Sequence, residues 1–259
     1  MKADRSERSV KWRIREKFKN ESGKYGRENM EKKKVIITGA TGMVGRYALD
    51  HCLKSDEVST VTAVVRKPTG EKNRKLVEVI HKDFTDLSSI SEYLRDQDVA
   101  IYCIGVYTGT VPNDEFERIT VDYTVSFAHA LLEKSRDVTF CFLSGAGADR
   151  TERSRMIFAR SKGKAENFLL KQKFGSIHIF RPGYIYPVEP RKEPNSMYRI
   201  QRALWPFIGR LFPGMGVNSD DLGHAIADVG IHGDDRDTFE NRDILEYVKE
   251  MKQRRAGSS

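Results

Sequence analysis

The chain is short of cysteine, carries no long apolar run and shows no internal repeat. Its three cysteines, Cys52, Cys103 and Cys141, are an odd number. With no Cys-x-x-Cys pair and no Cys/His cluster, neither a disulfide framework nor a metal site is expected. Cys103 and Cys141 lie inside apolar, strand-like stretches and Cys52 beside core positions of a helix, so the expected compartment is a reducing cytoplasm. Nothing approaches the roughly 18–20 apolar residues of a membrane span, and no apolar signal-peptide core stands near the start. No transmembrane segment is therefore expected.

Acidic charge is also in short supply at one end only. The 259 residues carry 45 Lys and Arg against 37 Asp and Glu, a formal +8. Residues 1–33 hold 12 of the cations and 6 of the acids, a net +6, which leaves +2 for all that follows. That first segment is polar and has no sustained periodicity. It reads as a basic flexible tail, with a docking arm as the alternative. The remainder is near neutral and has no stacking motif, so no nucleic acid is expected as its partner.

What the sequence does have is glycine in a telling place. Val35-Ile36-Ile37-Thr38 suits a buried parallel strand, and glycines follow at 39, 42 and 45. Gly39 suits the tight turn, Gly42 lets a pyrophosphate approach the backbone, and Gly45 lets helix and strand pack closely. Val44, Tyr47, Ala48 and His51 then recur at helical spacing. A strand, a glycine turn and a helix N-terminus together form a phosphate-binding device. A purely structural turn is the alternative.

Strand-like and helical patterns alternate from there on. Val58 to Val65, Val77 to His81, Val99 to Gly105, Val138 to Leu143 and Ile177 to Phe180 read as further strands. Between them lie a short helix with Ile90, Tyr93 and Leu94, a long one carrying Phe116, Ile119, Tyr123, Phe127 and Leu131, and one around 155–172. Strict alternation predicts an α/β fold: a doubly wound parallel sheet of the Rossmann type, in a single domain with a small substrate-side elaboration. The expected division is a tail over 1–33, a nucleotide-binding domain over 34–233 with a substrate-side segment at 184–218, and a C-terminal helix and tail over 234–259. Within that segment the apolar stretch Met197 to Phe212 suits a lid, a membrane-surface segment or packing on its own domain.

Where the second strand ends, an acid would bind the ribose 2′-hydroxyl of NAD. Arg66 and Lys67 stand there instead, which favours the 2′-phosphate of NADP(H) over NAD(H). Two solvated loop cations are the alternative. Asp83 and Phe84 follow the third strand where a carboxylate and an apolar neighbour can meet adenine. Ile104 and Gly105 end the fourth strand where backbone passes the cofactor.

These motifs resemble those of the short-chain dehydrogenase/reductases in their extended and atypical branches. The residues that carry the likeness are Gly39-Ala40-Thr41-Gly42-Met43-Val44-Gly45, Asp83-Phe84, Ser144, Lys162 and Arg181-Pro182-Gly183. The run Leu143-Ser144-Gly145-Ala146-Gly147-Ala148-Asp149 and the later Phe180-Arg181-Pro182-Gly183 are similar to the Tat-interacting oxidoreductase-like proteins. The likeness covers about 34–230. It implies that Gly39, Thr41, Gly42, Met43, Val44, Gly45, Arg66, Lys67, Asp83, Phe84, Ile104, Gly105, Lys162 and Pro182 form the cofactor set, with Ser144 and Lys162 catalytic. It also implies a small-molecule substrate, with a protein partner or a homodimer as further possibilities.

One departure matters most. The family's catalytic pair is Tyr-x-x-x-Lys, in which the ammonium lowers the phenol pKa. Here the motif reads Phe158-Ala159-Arg160-Ser161-Lys162, and phenylalanine cannot exchange a proton. Phe158 is expected on the Lys162 face of its helix, pointing at the cleft, and Phe158→Tyr is expected to raise turnover. Tyr107, Tyr184 and Tyr186 are the substitute phenols at the carboxyl edge, whereas Tyr123 reads as core. Two functions remain open: an NADP-dependent oxidoreductase or epimerase-like enzyme with a modified active site, or a non-catalytic NADPH-binding regulator or scaffold.

Overall fold

Apolar alternation decides which way each strand looks, and in the computed structural model the first strand shows this at once. The structure describes residues 31–189 and 213–257. In β1 (Lys33–Thr38) the last four residues are buried. Ile36 joins one core and Val35 and Ile37 the other, as expected of a strand covered on both faces. Strand β1 lies between β2 (Val58–Val65) and β4 (Val99–Tyr102), with Ile37 opposite both Ala63 and Ile101. The sheet continues through β3 (Leu76–Ile80), β5 (Thr139–Leu143), β6 (Ser176–Arg181) and β9 (Thr238–Glu240) in the order β3-β2-β1-β4-β5-β6-β9, all parallel. The order reverses between β1 and β4, and ligands of such sheets bind outside the strand ends at that switch point.

Helices α1 (Gly45–Lys54), α5 (Ser219–His232) and α6 (Asn241–Ala256) cover one face through Leu49, Cys52, Leu222, Ile226, Ile244 and Val248. On the other face, α3 (Tyr123–Lys134) and α4 (Ile157–Leu170) bring Phe127, Leu131, Ala165 and Leu169 onto Phe140 and Phe142. The short helix after β3 is a 3-10 turn over Ser88–Leu94, with Ile90 and Leu94 buried. The long helix expected from Phe116 onward is not continuous. A short α2 (Asn113–Glu117) runs into a π-helical turn, Arg118–Asp122, before α3 begins. That turn rotates the helix face, and Tyr123, read from spacing as core, is only half-buried.

Two features carry too little pattern to be seen in the sequence. Strand β9 has three residues, of which only Phe239 is fully buried, so no alternation announces it. Strands β7 (Tyr184–Tyr186) and β8 (Gly216–Asn218) pair in parallel as a separate two-stranded sheet. The basic tail up to residue 30, the apolar stretch Met197 to Phe212 and residues 258–259 lie outside the described residues. Cys52, Cys103 and Cys141 are free thiols, and burial pushes Cys52 and Cys103 up to about 12. Among the described residues no helix is long and apolar enough to cross a membrane, and no group of three His, Cys, Asp or Glu is placed to hold a metal.

Candidate functional site

The glycine turn is built by crowding. Gly39 has φ +74°, and a Cβ there would stand 2.6 Å from the Cys103 carbonyl oxygen at the end of β4. A Cβ on Gly45 would fall onto the carbonyl of Gly39 itself. The turn is closed by Gly42 N–H donating to Gly39 O at 2.9 Å. The helix it opens, α1, has no side-chain cap at its N-terminus, so a phosphate there would meet uncapped backbone N–H groups and the positive end of the helix dipole. By contrast a Cβ on Gly105 would meet nothing within 4 Å.

Around this turn lies a cleft of about 170 Å³. Its walls are Gly39, Thr41 and Gly42, then Val64, Val65 and Arg66 at the end of β2, Lys82 and Phe84 after β3, and Cys103 to Val106 after β4. Glu115, Ile119 and Tyr123 close it from the π-helical turn and its neighbours. Phe84 and Tyr123 face each other with ring centroids 5.8 Å apart. Arg118, paired with Glu115 at 2.8 Å, lies over Tyr123 at 5.4 Å. Ligand pockets usually run to roughly 300–1,000 Å³, so this cleft suits one part of a dinucleotide. Its charged lining residues are Arg66 and Lys82, both exposed, and Glu115, which Arg118 engages. The carboxylate of Glu78 on β3 is turned away to accept the Thr69 N–H at 2.7 Å.

A second cluster sits at the carboxyl ends of β5 and β6. The ammonium of Lys162 is buried, donates to Leu143 O at 2.8 Å and lies 4.8 Å from the centre of the Phe142 ring. Burial pulls its pKa down to about 8. One turn on, Glu166 is fully buried and accepts four hydrogen bonds. They come from Ser144 Oγ (2.5 Å), Arg150 Nε (2.7 Å), Arg181 Nε (2.9 Å) and Arg181 Nη2 (2.5 Å). Burial pushes its pKa up, but the hydrogen bonds from Arg181, Ser144 and Arg150 outweigh that and hold the carboxyl below its ordinary value. Arg181 also reaches Glu240 at 2.9 Å, and Arg150 reaches Thr238 Oγ1 at 2.9 Å, so β9 is tied to the same carboxylate. The half-buried ring of Phe158 lies against Gly145.

Comparison with known proteins agrees with this geometry. Residues 35–162 match the NAD dependent epimerase/dehydratase family. The chain is 30% identical over 204 residues to Protein FMP52, mitochondrial, of Debaryomyces hansenii, which covers 76% of this chain and 86% of that protein. The chain belongs to this epimerase/dehydratase family. It is also 28% identical over 171 residues to Protein HTATIP2 of Rattus norvegicus, covering 64% of this chain and 69% of that one. The fold is shared with the Bordetella bronchiseptica enzyme WbmH, solved in complex with NAD+, at TM-score 0.58 and 16% identity over 80% of this chain and 74% of that one. The family description and the shared fold agree on a Rossmann-type α/β protein of the NAD dependent epimerase/dehydratase kind.

Within the epimerase/dehydratase family frame, the structure sorts the candidate residues. Gly39, Thr41, Gly42, Arg66, Phe84, Ile104 and Gly105 line the cleft. Lys67 does not, because the chain turns away after Arg66. Asp83 accepts from the Thr85 N–H (2.9 Å) and hydroxyl (2.6 Å), which together hold its carboxyl below its ordinary value, and its neighbours Lys82 and Phe84 form the wall. Met43 receives the Tyr107 hydroxyl on its sulfur at 3.9 Å, while Val44 and Gly45 pack beneath the turn. Pro182 O accepts from Ala146 N at 2.8 Å, joining the loops after β5 and β6. Ser144 and Lys162 come together, but the Ser144 hydroxyl is given to Glu166 rather than left to a substrate. Sequence reasoning missed Lys82, Tyr123 and Glu166. For Glu166 a signal existed: it stands one helical turn after Lys162 and so shares its face.

Proposed function

We propose that this chain binds NADP(H) in preference to NAD(H), and that it is an oxidoreductase- or epimerase-type protein with a modified active site. The observation that carries the reading is the pair of cations, Arg66 and Lys82, on the wall of a cleft whose nearest acid on β3 is already bonded elsewhere. A dianionic 2′-phosphate is stabilised there by charge-assisted hydrogen bonds, and the acid on the lining, Glu115, is engaged by Arg118 at 2.8 Å. Gly39 to Gly45 and the uncapped end of α1 would hold the pyrophosphate, while Phe84, Ile119 and Tyr123 would shelter the base. Bound there, the nicotinamide would supply hydride exchange to the pocket at β5 and β6. In that pocket Lys162 holds a proton at an ammonium that burial brings to about 8, and Ser144 is oriented by Glu166.

A second reading has its own support. Phe158 offers no proton, and the Ser144 hydroxyl is committed to Glu166, so neither position 158 nor Ser144 presents a free hydroxyl donor. That favours a non-catalytic NADPH-binding regulator. Either way the nucleotide comes first. Saturating NADPH should raise the melting temperature of the wild type and leave that of Gly42→Val unmoved, because a side chain there blocks the pyrophosphate's approach. A Gly42→Val protein that is folded and still stabilised by NADPH would overturn the reading.

A further inference from the structure

The ring of Phe158 does more than lack an oxygen. A Cβ built on Gly145 would lie 2.5 Å from its Cζ and 3.4 Å from each of Cε1 and Cε2. Equal distances to the two ε carbons, with Cζ nearest, place that point on the extension of the ring's para axis. The para position of residue 158 is therefore aimed at the Gly145 backbone, next to Ser144. A tyrosine hydroxyl at 158 would reach nearly to that empty Cβ position, and so within about 2.8 Å of the Gly145 Cα one bond behind it. Carbon and oxygen that are not bonded do not approach so closely, since interiors are packed to contact and small overlaps are felt.

We infer that Phe158 and Gly145 form an interlocked pair that bars a phenol from this site: the space between the para carbon and the Gly145 backbone is too short for a tyrosine oxygen, and it is also where a residue-145 side chain would stand. Phenylalanine where the family's motif has tyrosine, and glycine at 145, are then one arrangement and not two. Phe158 and Lys162 stand four residues apart at the start of α4 and both reach the carboxyl end of β5, at Gly145 just beyond it and at Leu143 respectively. The specificity of the pocket follows. A carbonyl oxygen lodged beside Ser144 finds no hydroxyl donor at position 158, and substituting tyrosine alone does not create one, because the larger ring must leave its place. The expected gain of turnover in Phe158→Tyr is thereby withdrawn. The inference rests on the reading that this pocket is the reaction side of the nucleotide site, and its test separates the two.

The test is a set of thermal melts with a rate measurement on the full chain. Gly145→Ala should lower the melting temperature of the wild type by roughly 2–10 °C, the cost of overpacking. In a Phe158→Leu background, where no para carbon remains, Gly145→Ala should cost nothing or stabilise, since losing glycine also restricts the unfolded chain. Equal losses in both backgrounds would overturn the interlock. In NADPH oxidation with benzaldehyde as the probe, Phe158→Tyr should change the rate by less than tenfold. A correctly placed general acid contributes ~10²–10⁴-fold, so a gain of 100-fold or more would equally overturn it. The melting shift produced by NADPH is followed in the same samples: its absence from the wild type counts against the nucleotide reading alone and leaves the melts to judge the interlock.

Discussion

Replacing Glu166 by alanine removes one carboxylate and strands three partners. The side chain of Glu166 is 0% exposed, that of Arg181 14% and that of Arg150 33%. Taking away one member of a buried ion pair costs about 3–5 kcal/mol, because the charge left behind is neither solvated nor paired. Arg181 keeps Glu240 at 2.9 Å, but that acid is half-exposed and a weaker substitute. Arg150 is exposed enough to turn to water, and Ser144 loses one neutral-to-charged hydrogen bond. The lower half of the range, about 3 kcal/mol, is therefore expected. For a domain of this size that is a fall of roughly 6–12 °C in melting temperature. Urea melts should show the same loss without a change in slope, because the surface exposed on unfolding is unaltered. The pH dependence has a definite sign. The carboxyl is held below its ordinary value in the folded protein, so its contribution is present above the unfolded pKa of about 4.5 and is lost as pH falls below it. The wild type should lose its advantage over Glu166→Ala in acid. NADPH affinity should stay unchanged, because the network lies at β5, β6 and β9 and not on the wall of the cleft. A variant within about 0.5 kcal/mol of wild type, as for a surface pair, would refute the reasoning, and so would a collapse of nucleotide binding without loss of stability.

Three further outcomes follow from particular contacts. Gly45→Ala forces a Cβ onto the Gly39 carbonyl, so it should cost about 1–3 kcal/mol and weaken NADPH binding together with stability, read by melts and titration. Hydrogen bonds from His232 to Asp228 raise the pKa of that histidine from 6.5 to about 9. Its contribution to folding is fully present below pH 6.5 and lost as pH rises through about 9, and the corresponding slope in stability should vanish in His232→Gln. Tyr123→Leu should weaken NADPH and NADH binding alike, because the ring faces Phe84 across the shared part of the cleft, whereas a loss confined to one nucleotide would contradict that placement.

The fold was legible wherever the pattern was long. Val35 to Gly45 carries a strand, a turn and a helix start in eleven residues, and Gly39 and Gly45 prove to be forced by specific neighbours. Strands β2, β5 and β6 are mostly buried runs whose bounds lie within one residue of those read from the sequence, while β4 stops at Tyr102, three residues short of the expected Gly105. The three-residue β9 has no period to detect, and the π-helical turn at Arg118–Asp122 shifts the face of its helix without changing its composition. That shift is why Tyr123 reads as core from its spacing and yet lines the cleft. At the site, glycines and strand ends are local features and could be read. Long polar side chains could not be: Lys67 and Lys82 look alike in sequence, and only the path of the chain after β2 and β3 brings Arg66 and Lys82, and not Lys67, to one wall. The Glu166 cluster gathers residues from β5, the loop after it, α4, β6 and β9, which only the fold brings together.

The central claim is tested most directly by titrating NADPH and NADH, under identical salt, into the wild type and into Arg66→Ala/Lys82→Ala. The account predicts that the wild type binds NADPH more tightly, by at least tenfold, and that the double variant loses this preference while its affinity for NADH stays within about twofold. Equal affinities of the wild type for the two nucleotides, or a preference that survives loss of both cations, would contradict it.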